Sequence, residues 1–174
     1  MAIGATGNDG GGADSGHVRV YDLSIFNDFQ INAGLNDAWY NPATDGQGFF
    51  ITVFPDVGVV VLAWFTYDTE LPPEDATANL GDAGHRWLLA VGPFLNNEAV
   101  LDIEIASGGI FDTASEITRV LDGSITLSFD DCITGTVEYN IPSIDRQGIV
   151  PIQRVAKDNI VLCEALNEEL NNIQ

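Results

Sequence analysis

The feature that most constrains this chain is a period of two, repeated from one run to the next and abandoned only at the tail. In Leu101-Asp102-Ile103-Glu104-Ile105 the aliphatic side chains fall on one side and the acids on the other. Ile125-Thr126-Leu127-Ser128-Phe129 repeats the pattern with small hydroxyls in place of the acids. Successive side chains of an extended strand point to opposite faces, so this alternation describes antiparallel sheet with one dry and one wet face. Phe49 to Phe54 and Val59 to Tyr67 flank the turn signal Pro55-Asp56-Val57-Gly58 and read as a hairpin. The second run, VVVLAWFTY, is almost wholly apolar and predicts a central strand covered on both faces. Trp87 to Val91 (closed by Gly92-Pro93), Gly135 to Ile141 and Ile149 to Val155 supply further strands. Only Leu162, Leu166, Leu170 and Ile173 change period, with glutamates between them, and predict a short amphipathic C-terminal helix. About eight or nine strands at hairpin spacing predict an all-β fold, an antiparallel up-and-down barrel or a sandwich. The parallel α/β folds are excluded.

Residues 1–30 differ in character from residues 31–174. The stretch GATGNDGGGADSG at 4–16 reads as a loop, and the short alternating run His17 to Tyr21 follows it. A single strand is not stable alone. It is expected to pair with the body, with a domain further upstream, or with the open edge of a neighbouring copy, which would be self-association through the N-terminal strand. The remaining length, in a chain of 174 residues that is 45% hydrophobic, suffices for one domain with a real core.

Charge narrows the partners. Six Lys and Arg against 26 Asp and Glu leave a formal charge of −20. Phosphate backbones and anionic lipid would both be repelled, so no nucleic acid is expected as a partner. Membrane insertion is not expected either, because no stretch approaches the ~18 uncharged apolar residues of a spanning helix.

Cys132 and Cys163 match no zinc, haem or redox spacing. Two readings stand: a disulfide in an oxidising compartment, or two buried thiols packing as small hydrophobes. Met1 to Gly16 lacks the basic and apolar parts of a secretory signal. Against that stand the cysteine pair and a chain with one lysine, Lys157. The expectation is an extracellular or cell-surface protein, of which this chain is a fragment.

Catalytic signatures are sparse. The two histidines are His17, beside Asp14 and Ser15 in the Gly-rich segment, and His85, before Arg86-Trp87. A triad needs a fixed geometry that three neighbours in a flexible loop do not hold, and no GxSxG elbow is present. Asp102 and Glu104 share a sheet face, but it is the wet one, and Asp130-Asp131 reads as a turn. The GNDGGG glycines follow no substantial strand and open no helix, which fails the test for a phosphate loop. No cofactor is expected beyond structural calcium, for which Asn8, Asp9 and Asp14 offer oxygens, as do Asp68, Glu70, Glu74 and Asp75 around Pro72-Pro73.

The aromatic residues are the best binding candidates. Trp39, Tyr40, Trp64, Phe65, Tyr67 and Trp87 lie in or beside successive strands, where rings stack on sugars or line a small-ligand pocket when they are not core. The opening Trp39-Tyr40-Asn41 followed by hairpins is similar, at the level of fold alone, to the start of avidin-type barrels.

Two stretches resemble known families. Residues 2–21, AIGATGNDGGGADSGHVRVY, are similar to the closing half of an FG-GAP repeat, the blade unit of integrin-α-like propellers, without its DxDxDG-type calcium loop. One partial repeat cannot make a propeller, so the resemblance implies the downstream end of a longer extracellular protein. Residues 34–166 resemble an uncharacterised β domain of secreted and surface-exposed bacterial proteins. The residues that carry it include Trp39-Tyr40-Asn41-Pro42, Gly46-Gln47-Gly48-Phe49, Trp64-Phe65-Thr66-Tyr67-Asp68, His85-Arg86-Trp87-Leu88, Asp131-Cys132, Pro151-Ile152-Gln153-Arg154 and Leu162-Cys163. That resemblance implies secretion and a Cys132–Cys163 disulfide, and transfers no catalytic residue. The functional expectation is a non-catalytic extracellular β domain of a larger secreted or surface protein, serving attachment, assembly or ligand binding. The alternatives are a glycan or small-ligand barrel using Trp39, Tyr40, Trp64, Tyr67 and Trp87, and a hydrolase of unfamiliar type built on His85 and the acids of the 68–85 loop.

Overall fold

The computed structural model describes residues 29–71, 73–75, 85–110 and 112–173, together with 2–5 and 17–20; at 2–5, 17–20, 85, 86 and 173 only the backbone is described. Strands β1 (Ala2–Ala5) and β2 (His17–Val20) pair antiparallel as a two-stranded sheet of their own. The His17 strand therefore has a partner within the chain's own first residues, and Gly4 and Ala5, read from sequence as loop, belong to that partner.

The body is a barrel. Strands β3 (Asp37–Tyr40), β4 (Gly48–Phe54), β5 (Val59–Tyr67), β6 (His85–Leu95), β7 (Glu98–Ser107), β8 (Thr118–Phe129), β9 (Thr134–Ile141) and β10 (Arg146–Arg154) each pair antiparallel with the next. β10 returns to β3 and closes the ring, and helix α1 (Ile160–Ile173) follows. The period of two sends one side-chain set from each strand inward: Ile51 and Val53, Val60 and Leu62, Leu101 and Ile103, Ile125 and Leu127, and Val137 are all buried. A barrel of about eight strands is narrow enough for such side chains to fill it.

One end is sealed. The turn Ala33–Leu35 crosses it as a single 3-10 turn, capped by Asn32, whose Oδ1 accepts from the Gly34 N–H at 2.9 Å. The Asn32 Nδ2 donates to the Cys163 carbonyl of α1 at 3.3 Å. Gly34 permits this approach: a Cβ there would stand 2.3 Å from the Cys163 Cα. Cys132, in the β8–β9 loop, is disulfide-bonded to Cys163, with Cα atoms 5.9 Å apart. Beneath lies Arg154, buried at the end of β10. Its Nε donates to the Cys132 carbonyl, its Nη2 to the Gly34 carbonyl at 2.5 Å and its Nη1 to Asp37 at 2.8 Å. The guanidinium lies 4.7 Å from the centre of the Trp39 ring. A buried cation is tolerated where its donors are matched, as these are.

Two strands depart from expectation. β6 runs on through Gly92-Pro93, which read as its end. Proline lacks an N–H, and the β6–β7 register correspondingly skips from Val91↔Asp102 to Phe94↔Ala99. β5, expected to be covered on both faces, has one face in the core and leaves Phe65 of the other exposed.

Candidate functional site

The end opposite the plug is where the loops after β3, β5, β7 and β9 emerge, and it opens into a hollow of about 660 Å³. Its floor is Trp64, buried in β5. Phe49 packs against that ring at 5.1 Å between centroids, and Tyr139 of β9 meets it edge-on at 5.0 Å. Leu88, Ile105, Ile141 and Ile144 give apolar walls, and Tyr67, Trp87, Asp68, Thr69 and Arg146 complete the lining. Aliphatic and aromatic walls with a few polar groups are the ordinary chemistry of a small-molecule site.

Local irregularities place the polar groups. Between Asp102 and Glu104 the β7–β8 register shifts, with Asp122 and Gly123 of β8 opposite the single Ile103 of β7. Gly123 sits in that bulge at φ +90°, and a Cβ on it would lie 1.9 Å from the Asn140 carbonyl. The bulge brings Asp122 to the mouth, where its carboxylate accepts from the Ser143 backbone N–H at 3.0 Å and from the Ser143 hydroxyl. The β9–β10 turn is thereby tied to β8. Across the opening, the Thr66 hydroxyl donates to Gln47 Oε1 at 2.6 Å, linking β5 to the loop before β4. Among the described residues the lining carries two carboxylates, Asp68 and Asp122, and one guanidinium, Arg146, for which no ion pair occurs among those residues.

The predicted residues separate by barrel end. Trp64, Tyr67 and Trp87 come together in the hollow. Trp39 lies at the sealed end, its indole N–H donating to the Leu35 carbonyl at 3.1 Å and its ring meeting Phe129 edge-on at 5.1 Å. Tyr40 is half-buried and its hydroxyl accepts from Gln153 Nε2 at 3.2 Å, away from the hollow. Tyr139 was not singled out from the sequence. The alternation of Val137, Tyr139 and Ile141 was its signal, since one inward residue on β9 implies the others.

The chemical alternatives find less. Asn8, Asp9, Asp14 and Ser15, the calcium oxygens and loop triad of the first segment, lie outside the described residues, as do the side chains of His17 and His85. Glu70, Glu74 and Asp75 are exposed. Glu104 faces Arg119 at 4.0 Å on the outer wall. Among the described residues no group of three or more His, Cys, Asp and Glu is placed to hold a metal ion. A second depression of about 520 Å³ lies on the outside of β8–β10, lined mainly by Ser124, Thr126, Glu138, Asn140 and Gln147, with no tryptophan. No helix among the described residues is long and apolar enough to cross a membrane. Comparison with family models, curated proteins and solved structures finds no match, so what the mouth takes must be argued from its own side chains.

Proposed function

We propose that the chain is a non-catalytic ligand-binding barrel of an oxidising, extracellular setting, and that its mouth takes a compact organic molecule with a flat apolar body. The observation that carries this reading is the asymmetry of the barrel. One end is plugged by Arg154 and Trp39 and covalently tied to α1; the other holds a hollow of about 660 Å³ floored by Trp64. A pre-formed hollow of this size, with few convergent polar groups, suits a small ligand. Rings at floor and rim favour a planar body by stacking and favour a cationic one through their negative faces. A chain of charge −20, whose described mouth residues include the carboxylates Asp68 and Asp122, disfavours an anion. The disulfide supports the exterior setting, because such bonds persist where thiols are not kept reduced. Attachment to a larger surface protein is the part of the reading that the FG-GAP-like resemblance of residues 2–21 supports.

Calorimetric titration with three probes of one shared body tests the reading: neutral 1-naphthol, cationic 1-naphthylmethylamine and anionic 1-naphthoate. The first two are expected to bind with a negative heat-capacity change, and naphthoate at least about tenfold more weakly. Trp64→Ala should abolish binding. Trp87→Ala, which alters a partly exposed rim residue and leaves the core intact, should weaken it. Three silent titrations, or full binding by both variants, would sink the proposal; binding confined to oligosaccharides would replace the ligand class.

A further inference from the structure

We infer that the outer wall formed by β4, β5 and β6 is the face through which two copies of this chain associate. The wall is read from the barrel's register. Phe50, Ala63 and Leu89 stand in one outward row, and Phe65 and Trp87 stand side by side in the next. Phe50 and Phe65 meet edge-on, with ring centroids 5.6 Å apart. The alternation that sends Ile51, Leu62 and Ala90 inward leaves the outward positions of 50–54, 59–65 and 87–93 without a single charged residue. One strand further on, the row of Phe50 ends in Glu104 and the row of Thr52, Val61 and Val91 ends in Asp102. A lone exposed apolar residue needs no account, but a contiguous apolar face rimmed by charge marks an interface. Depletion of charge with enrichment of aromatics is the composition of an interface core.

Two considerations select a second copy as the occupant. The first is area. Phe50, Phe54, Phe65 and Trp87 are 57%, 47%, 47% and 59% exposed. An aromatic side chain covers ~150–250 Å², so these four offer roughly 400 Å². With the partly exposed aliphatics between them, the wall comes near the ~600 Å² per partner at the low end of standard interfaces. The second is charge. Copies that each carry −20 repel one another in most orientations, and a charge-free wall is the approach on which contact brings no like charges together. The relief suits a two-fold contact. Ala63, a small side chain, stands in the register between Phe50 and Leu89, and a two-fold axis would set this row against its own copy.

Sedimentation velocity of the full chain over a wide concentration range, at low and at raised salt, tests the inference. A reversible dimer is expected, tighter at raised salt because screening removes repulsion while the apolar contact remains. Phe65→Glu and, independently, Phe50→Glu should weaken it at least tenfold. Ile149→Glu adds the same charge at an exposed position of β10, across the barrel from β6, and should leave it unchanged. Trp87 emission should shift to the blue as the dimer forms. A monomer at every concentration and both salts overturns the inference, and so does a dimer that Phe65→Glu and Phe50→Glu leave intact. Trp87 belongs both to this wall and to the rim of the mouth, so the ligand reading is decided by Trp64→Ala and the dimer by Phe50→Glu and Phe65→Glu, none of which alters Trp87.

Discussion

Arg154 is the residue on which the sealed end converges, because among the described residues it is the one side chain that hydrogen-bonds to the 3-10 turn, the disulfide loop and the first barrel strand together. Its side chain is 1% exposed and that of its partner Asp37 is 12% exposed. Substituting one partner strands the other charge and two carbonyls in a dry site, so Arg154→Met should cost about 3–5 kcal/mol in urea unfolding. Adding Asp37→Leu should recover part of that loss, since the double variant buries no lone carboxylate; a double variant weaker than the single would show that Asp37 does not depend on the pair. Little of this was legible at the residue scale. Arg154 sits at the end of a plain alternating run, and nothing local distinguishes an arginine that turns inward from one that solvates. Its burial is decided by Gly34, Asp37 and Cys132, all distant in sequence. Trp64, Tyr67 and Trp87 were easier, because strand position and ring size marked them, but the same criteria marked Trp39 and Tyr40. Which end of a strand opens to a ligand is not written in the strand.

At the scale of elements, alternation located β7 and β8, strand-like runs located β4, β5 and β9, and turn residues located the hairpin between β4 and β5. It misjudged the places where a strand continues through a break. Gly92-Pro93 reads as punctuation, yet β6 passes through it where the ladder to β7 is interrupted. The bulge at Gly123 was invisible for a related reason: an extra residue is defined only against the partner strand. This bulge carries a prediction. Gly123→Ala forces a left-handed φ on a residue with a Cβ and drives that Cβ into the Asn140 carbonyl, and should destabilise by about 1–3 kcal/mol. Gly58→Ala, also left-handed at φ +65° but with open space around the added carbon, should cost less. Thermal melts of the two variants compare them directly. Because Asp122 adjoins the bulge, Gly123→Ala should also weaken binding at the mouth, and unchanged probe affinity would detach Asp122 from the ligand site.

Barrel or sandwich was left open by the sequence because the difference lies in one non-local pairing. The same inward and outward sets serve either fold until β10 meets β3, at Gln153↔Tyr40 and Arg154↔Trp39. That seam is short, and the elements that brace it lie at the sealed end: Arg154 itself, the 3-10 turn, and α1 held by Cys132–Cys163. The disulfide thus belongs to closure of the whole molecule. It closes a loop of sequence separation 31, worth about 3–4 kcal/mol in the chain-entropy account. Cys132→Ala/Cys163→Ala should lower stability by about that amount in urea. Hydrogen exchange should rise first in α1 and along β10–β3, the parts nearest the lost bond, while Trp64 and the mouth lie at the other end. Naphthol affinity under native conditions should therefore stay near that of the parent while the unfolding midpoint falls. If affinity fell in step with stability, the two ends would be coupled through the β10–β3 seam, and the barrel would work as one spring rather than as a rigid cup on a separate plug.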